Sequence, residues 1–278
     1  MQSQKISSKE NIFMTDIKLI VTDMDGTFLN SNYEVSSDFK EIYTELKRRN
    51  ILFVPASGRQ MPGITKYFEE IEHEIGFIAE NGGYVVYQGQ ELFADKMEHS
   101  HISEIIKAVR EISGARAVLS AKKYAYYETE DQNFVDFFTR YYTKNKKMKD
   151  LTEMVDDSAF KIAIYHPEGS EKNLYPFLKH FEKYGLEVVV SGEFWMDIMN
   201  KNINKGKALS ILQKELKITP EQTMAFGDYM NDIEMLENAK YSFAMENAHP
   251  SVKKIAHYEA PSHNDFGVIE VIKNYLNK

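Results

Sequence analysis

The sequence predicts an α/β fold, with a Rossmann-like core whose sheet is mainly parallel and with an inserted α+β domain. Near both ends of the chain, short apolar runs alternate with amphipathic helical segments, a rhythm typical of βαβ units. Several of those runs end in polar turns that contain glycine. Between the two regions the alternation is lost, and strands and helices rich in tyrosine and phenylalanine follow in mixed order. Together, these observations indicate one sheet domain that is interrupted by an insertion.

The length of 278 residues is enough for a core plus an inserted domain. We predict the core from residues 14–85 and 194–278, and the inserted α+β domain from residues 86–193. The polar stretch 1–13 lacks the apolar centre of a signal peptide. We expect it to be a disordered N-terminal extension.

Composition argues against several classes of protein. The net charge of −8 disfavours a chain-wide electrostatic attraction to nucleic acid or anionic membranes. The absence of cysteine excludes disulfides, thiolate nucleophiles and cysteine-ligated metal sites, and it fits a reducing cytoplasm. No apolar run approaches the length of a membrane span. We therefore expect a cytoplasmic protein without nucleic-acid or membrane partners, and the sequence gives no indication of its oligomeric state.

The first predicted strand ends in two carboxylates. The apolar run 19–21 is followed by Asp23, Asp25, Gly26 and Thr27. Open α/β sheets bind ligands at the carboxyl ends of their strands, so both acids are expected at a binding edge. Neighbouring carboxylates repel one another, and a hard cation such as Mg²⁺ would compensate them. The alternative is an ordinary turn, because aspartate and glycine are common turn residues.

The next two predicted strands end in similar turns. A predicted helix over 36–50 leads to the apolar run 51–54, which is followed by PASGR with Ser57 and Gly58 in the turn. A strand, a helix and a strand in this order form a parallel βαβ unit. A third run, 77–79, ends in ENGG. The three turns are therefore expected at one edge of the same sheet.

The middle of the chain has a different texture. Its hydrophobic patterns predict a hairpin, then alternating helices and strands, and a basic loop. In chain order these are a hairpin over 84–94, a helix over 102–112, strands over 117–119 and 124–128, a helix over 133–142, the loop 144–149, a strand over 160–165, a helix over 174–184 and a strand over 186–190.

The βαβ rhythm returns near the C-terminus. We predict a helix over 205–216, a strand over 223–226, a short helix over 233–238, a strand over 241–245, and helices over 250–256 and 268–276. Gly227 and Asp228 follow the first of these strands, and Asp232 comes one helical turn later. Asp228 is therefore expected at the same edge as Asp23. Asp232 is either a metal ligand or a plain carboxylate at a helix N-terminus, where the dipole favours it.

A lysine at the start of a helix completes the set. Lys205 begins the predicted helix after Asn204, a position that the helix dipole makes unfavourable for a cation unless an anion lies on it. Ser57 and neighbouring backbone N–H groups can donate to the same anion. Carboxylates, a hard metal, a lysine and a hydroxyl at one sheet edge indicate phosphoryl transfer. One carboxylate would attack phosphorus, and a second would move the proton.

Four segments in this order, DMDGT, ASGR, NKG and GDYMND, resemble the motifs of the haloacid dehalogenase superfamily of aspartate-nucleophile phosphohydrolases. The long insertion between the second and third motifs, together with AENGG, is similar to the Cof-type branch of small-molecule phosphatases. The resemblance extends over residues 16–275.

The resemblance implies a role for each motif residue. Asp23 would be the nucleophile that forms a phosphoaspartyl intermediate, and Asp25 the acid and base. Mg²⁺ would be held by Asp23, the main-chain carbonyl of Asp25, and Asp228. Four further residues would hold the phosphate: Ser57, Gly58, Lys205 and Asn231. Thr27 and Asp232 would support the site from outside it. The inserted domain would be a cap that excludes water and reads the leaving group of a small phosphorylated metabolite.

One segment departs from the family pattern. FAMENA, over 243–248, resembles the family's AMGNA with Glu246 in place of the glycine. The four motifs are intact, but any close backbone approach near Glu246 and the shape of the pocket rim come into question.

Two other functions use similar residues. A phosphoryl transferase or phosphomutase on the same fold would pass the phosphoryl group to a sugar hydroxyl instead of water. A phospho-receiver or regulatory binding protein also uses paired aspartates, a hydroxyl and a lysine around Mg²⁺, but it needs no long insertion. A protein-binding scaffold would not need Asp23 at all.

Overall fold

The computed structural model describes residues 16–153 and 156–277. The predicted disordered extension, 1–13, lies outside them. The strands are β1 (Leu19–Asp23), β2 (Leu52–Ala56), β3 (Gly76–Ala79), β4 (Tyr84–Tyr87), β5 (Gln90–Ala94), β6 (Arg116–Ala121), β7 (Ala125–Tyr127), β8 (Asn145–Lys147), β9 (Ala159–Tyr165), β10 (Leu186–Val190), β11 (Trp195–Asn200), β12 (Thr223–Gly227), β13 (Tyr241–Met245) and β14 (Tyr258–Ala260).

The helices alternate with these strands. They are α1 (Phe39–Arg48), α2 (Met61–Thr65), α3 (His99–Arg110), α4 (Gln132–Phe138), α5 (Ser170–Asn173), α6 (Tyr175–Leu178), α7 (Lys205–Leu216), α8 (Ile233–Glu237), α9 (Pro250–Ile255) and α10 (Gly267–Leu276). Short 3₁₀ helices cover Glu80–Gly82, Lys179–Tyr184, Pro220–Gln222, Met230–Asp232 and His263–Asp265. Among the helices of the described ranges, none combines the length and the apolar character needed to cross a bilayer.

The described residues form two compact units. The first contains 16–58, 67–93 and 204–277, and the second contains 59–66, 94–153 and 156–203. The predicted core and insertion had their boundaries at 85/86 and 193/194. The structure differs at both ends because β5 lies in the sheet of the first unit and β11 in the sheet of the second.

The first unit is built on an eight-stranded sheet of order β14-β13-β12-β1-β2-β3-β4-β5. The strands from β14 to β3 are parallel, and β4 runs antiparallel to β3. All five residues of β1 are buried, as expected for a central parallel strand with both faces covered. Asp23 pairs with Ala56 in register, so the turns after β1 and β2 lie side by side. The predicted α/β class with a mainly parallel sheet is confirmed.

Helix α1 shows how the first unit buries its apolar face. Phe39, Ile42 and Leu46 are its buried residues, one helical turn apart. The Phe39 ring lies 5.1 Å from that of Phe28 and 5.0 Å from that of Phe53, between ring centroids. Such aromatic packing holds the segment that follows β1 against the sheet.

The second unit has a mixed six-stranded sheet of order β10-β11-β9-β6-β7-β8. One face packs on α3 and on the helices after β9, and α4 covers the other with Phe134 and Phe138. The predicted loop 144–149 contains the edge strand β8, which pairs parallel to β7, so that prediction was wrong. No strand was predicted over β11, where Met196 and Ile198 are buried and Asp197 between them pairs with Lys161 at 3.2 Å.

Candidate active site

The nucleophile candidate lies at the centre of the first unit. Asp23 is the last residue of β1 and is 6% exposed. The chain then turns, with the backbone N–H groups of Phe28 and Leu29 donating to Met24 O at 3.1 and 2.9 Å. Met24 is buried and Asp25 is exposed. The two aspartates of the motif therefore lie in different environments, because Asp23 is buried and Asp25 is exposed.

Glycine is required in this turn for two reasons. Gly26 has a φ of +76°, a left-handed conformation that side chains with a Cβ adopt at a cost. A Cβ on Gly26 would also lie 2.5 Å from Asp228 Oδ2. The bare backbone thus lets the motif after β1 approach the motif after β12.

The carboxylates after β12 are fixed by hydrogen bonds. Thr27 Oγ1 donates to Asp228 Oδ1 at 3.0 Å. Asp232 Oδ2 accepts from the backbone N–H groups of Asp228, at 2.9 Å, and of Tyr229, at 3.1 Å. Thr27 and Asp232 therefore hold the orientation of Asp228 and its loop.

Lys205 joins the two motifs. It is the first residue of α7, is 0% exposed, and donates from Nζ to Asp23 Oδ1 at 2.5 Å and to Asp232 Oδ1 at 2.6 Å. The Asn204 side chain caps α7 by accepting from Lys207 N at 2.7 Å. Two carboxylates thus offset the unfavourable position of a cation at a helix N-terminus.

The site carries more negative than positive charge. Burial raises the pKa of Asp23 well above its usual value, against the lowering effect of Lys205. Burial and the Asp232 charge raise the pKa of Asp228 to about 6. Burial alone would lower the pKa of Lys205, but Asp23 and Asp232 raise it above its usual value. One buried cation does not neutralise three carboxylates.

These carboxylates fit a hard divalent cation. Within the described ranges, Asp23, Asp228 and Asp232 each offer an oxygen, and those oxygens lie within 4.8 Å of one another. An all-oxygen donor set with excess negative charge suits Mg²⁺. Both oxygens of Asp232 already have donors, Lys205 and two backbone N–H groups. Asp23 and Asp228 are therefore better placed than Asp232 to ligate a cation. The Asp25 carboxylate is not part of this cluster.

The predicted phosphate-binding residues follow the neighbouring strands. Ser57, 2% exposed, comes directly after β2, and its N–H donates to Ile78 O at 2.8 Å. Gly58 continues the turn. Asn231, exposed, lies in the 3₁₀ helix after β12. The sheet therefore places Ser57 next to the motif of Asp23 and Asn231 next to Asp228.

Two asparagines of this region were not among the predicted site residues. Asn81, after β3, accepts at Oδ1 from Asn231 Nδ2 at 3.0 Å. Asn247, after β13, donates from Nδ2 to Gly26 O at 2.8 Å and accepts from His263 N at 3.1 Å. Both lie in segments noted for their family resemblance, AENGG and AMENA, which was the available signal.

Glu246 is accommodated without strain. It is exposed, and its φ is not positive, so the backbone here does not need glycine. Its N–H donates to Ala260 O at 2.9 Å, and its carbonyl accepts from Lys253 Nζ at 2.5 Å. The substitution leaves Asn247 in contact with the turn after β1.

The fold and the site define a class: α/β enzymes that transfer phosphoryl groups at the carboxyl edge of a parallel sheet. A sequence model of the haloacid dehalogenase-like hydrolases matches residues 20–272. The chain belongs to this family, as its motifs predicted.

Relatives agree with this assignment. The chain is 32% identical over 264 residues to the 5-amino-6-(5-phospho-D-ribitylamino)uracil phosphatase YbjI of Escherichia coli, covering 94% of this chain and 96% of the relative. A crystal structure from Streptococcus mutans is 32% identical, with a TM-score of 0.84, and covers 94% of this chain and 100% of its own. A crystal structure from Eubacterium rectale is 26% identical, with a TM-score of 0.86, and covers 93% of this chain and 99% of its own. The protein is a phosphatase of this family, a phosphoric monoester hydrolase, and that prediction is confirmed.

The raised pKa of Asp228 predicts how pH affects stability. In the folded protein this carboxyl keeps its proton up to about pH 6, whereas unfolded aspartate releases it near 3.8. Its contribution to stability is therefore lost as pH rises from about 4 to about 6. In the presence of a metal chelator, the free energy of unfolding of Asp228→Asn should equal that of the wild type near pH 4. Above pH 6 it should exceed the wild-type value by on the order of 2–3 kcal/mol.

Urea unfolding of both proteins across this pH range measures the difference. Asparagine keeps an oxygen that can accept from Thr27, so the comparison isolates the charge. A difference that does not change with pH would contradict the prediction.

Proposed function

We propose that the protein hydrolyses the phosphomonoester of a small phosphorylated metabolite, with Mg²⁺, through a phosphoaspartyl intermediate at Asp23. The observation that supports this most is the chain of contacts from Asp23 through Lys205 to Asp232. It fixes one carboxylate oxygen of Asp23 on a buried cation, and the proposed attack on phosphorus uses the other oxygen.

The first chemical step uses both aspartates of the motif. An Asp23 oxygen attacks phosphorus and forms an O–P bond, while the bond from phosphorus to the substrate oxygen breaks. Asp25 gives its proton to that oxygen, which leaves as an alcohol. Asp25 is exposed, so it can meet a leaving group that arrives from solvent.

The second step reverses the roles of acid and base. Asp25, now a carboxylate, takes a proton from water, whose oxygen attacks the phosphorus of the aspartyl phosphate. The bond between Asp23 and phosphorus breaks, inorganic phosphate leaves, and both aspartates return to their starting states. Ser57, Gly58, Lys205 and Asn231 would hold the phosphoryl oxygens during both steps.

Asp23, Asp228 and the main-chain carbonyl of Asp25 would hold Mg²⁺. Bound there, the ion supplies positive charge for the phosphoryl oxygens and for the crowded carboxylates. Recognition of the leaving group by the inserted domain is what the family resemblance implies, and it stays a prediction. A cytoplasmic location remains a prediction from composition.

Phosphate release from a panel of substrates tests the function. The panel contains sugar phosphates, cofactor phosphates, an aryl phosphate and, because a relative is named for it, 5-amino-6-(5-phospho-D-ribitylamino)uracil. We expect turnover with Mg²⁺ and none with chelator. Stable phosphorylation of the protein without release of phosphate would instead indicate a receiver, and transfer to a sugar hydroxyl would indicate a mutase.

Mg²⁺ should also stabilise the folded protein in the absence of substrate. A ligand that binds only the folded state raises stability with its concentration, and here it relieves repulsion between Asp23 and Asp228. We expect the melting temperature to rise with Mg²⁺ in the wild type and much less in Asp228→Asn. Asp265→Asn, at an exposed position, is the control and should respond like the wild type; equal responses of all three proteins would place the ion elsewhere.

A further inference from the structure

The turn after β3 has an unusual backbone. Glu80, Asn81 and Gly82 have φ angles of 52°, 53° and 105°. Glycine adopts positive φ freely and asparagine tolerates it, but glutamate does so at a cost. Residues held in such conformations persist only where the surrounding structure fixes them, and they concentrate at functional sites. The neighbours of this turn therefore bear on its function.

Asn81 contacts two motif loops. Its backbone N–H donates to Ser57 O at 3.0 Å. Its amide lies against Gly58, where a Cβ would come within 3.0 Å of Oδ1 and 3.1 Å of Nδ2. The same Oδ1 accepts from Asn231 Nδ2 at 3.0 Å. One side chain thus spans from the turn after β2 to the loop after β12.

Gly82 extends the contact to a third motif. A Cβ on Gly82 would overlap the carbonyl oxygen of Asn204, and it would lie 3.2 Å from Ala208 Cβ. Asn204 caps the helix that begins with Lys205. The turn after β3 therefore abuts the segments that carry Ser57, Lys205 and Asn231, which come from distant parts of the sequence.

We propose that Asn81 is a positioning residue for phosphoryl transfer. Its left-handed backbone directs the amide between Gly58 and Asn231, and the amide keeps these two phosphate-binding segments at a fixed separation. This inference rests on the proposed function and adds to its mechanism a residue that acts through Gly58 and Asn231.

A positioning role differs from a purely structural one in its consequences. Asn81 is partly exposed and Asn231 is exposed, so removing the amide leaves no apolar cavity. Because glycine accepts the same φ, Asn81→Gly keeps the turn and its backbone hydrogen bond to Ser57. The expected loss is therefore in the geometry for the transition state rather than in stability.

The test compares Asn81→Gly with Asn50→Gly. Asn50 also has a positive φ, of 55°, and is exposed after α1, so it controls for losing an asparagine from a left-handed position. We would measure kcat, KM, melting temperature and inhibition by orthovanadate, which imitates the five-coordinate phosphorus of the transition state. Misplaced groups of this kind cost up to about 100-fold in rate.

We expect kcat of Asn81→Gly to fall about 10- to 100-fold, with vanadate inhibition weakened by a similar factor. KM should change less, and the melting temperature should match that of Asn50→Gly. If the amide acts through Asn231, Asn81→Gly should cost little more once Asn231→Ala is present.

Three results would overturn the inference. The first is wild-type kcat and vanadate inhibition in Asn81→Gly, and the second is a large loss of folding stability in that variant. The third is a double variant whose loss of kcat equals the product of the losses caused by Asn81→Gly and Asn231→Ala alone. Each is distinguishable from a failure of the proposed function. That failure would appear in the wild type itself, as an absence of Mg²⁺-dependent phosphate release.

Discussion

Asp23→Asn is expected to abolish turnover while the protein stays folded. Asparagine has the size of aspartate but no charged oxygen to attack phosphorus, and loss of a nucleophile costs about 10⁴-fold or more in kcat. The fold should tolerate the change, because burial already disfavours the charged form of Asp23 and Lys205 keeps its contact with Asp232. Phosphate release and circular dichroism measure the two effects.

Asp25→Asn is the matched comparison. It retains the nucleophile but lacks the group that would activate water, so it should accumulate phosphorylated protein when the substrate has a good leaving group. Intact-mass spectrometry after an acid quench detects that species, and Asp23→Asn should show none. Substantial turnover by Asp23→Asn would refute the proposed mechanism.

Lys205→Met is expected to destabilise the protein strongly and to inactivate it. Lys205 is fully buried between Asp23 and Asp232, and methionine has a similar length without the charge. Removing one partner of a buried ion pair leaves uncompensated charge and costs about 3–5 kcal/mol. Since the lysine would also contact the transferring group, kcat should fall at least about 100-fold.

Lys207→Met on the same helix is the control. Lys207 is exposed, and its backbone N–H keeps the hydrogen bond to Asn204, so this variant should differ little from the wild type. Urea unfolding in the presence of a metal chelator gives the free energies of unfolding of the wild type, Lys205→Met and Lys207→Met. Wild-type stability of Lys205→Met would mean that the buried carboxylates are protonated and need no cation.

Several elements were predictable because their patterns are local. The buried run of β1, the helical spacing of Phe39, Ile42 and Leu46, and the polar turns after β1, β2 and β12 can each be read within a few residues. Elements whose stability depends on distant partners were harder. The edge strand β8 and the strand β11 have weak patterns of their own and are defined by pairing with β7, β9 and β10.

The same contrast holds within the site. Asp23, Ser57, Lys205 and Asp228 were predicted as site residues from their positions at strand and helix ends. The role of Asp232 was open between a metal ligand and a plain carboxylate at a helix N-terminus. Its contacts with backbone N–H groups fit the second alternative, and its contact with Lys205 belongs to neither. Asn81 and Asn247 were missed, because hydrogen bonds between loops leave no periodic signal in the sequence.

The sequence by itself determined the parallel core, the presence of an insertion, the family and the side chains of the acidic motifs. Only the tertiary structure decided which groups meet: Lys205 with Asp23 across 182 positions, and Thr27 with Asp228 across 201. Strand periodicity and turn composition arise from interactions between near neighbours in the chain. Contacts over such separations exist only after the parallel sheet has brought the carboxyl ends of its strands to one edge.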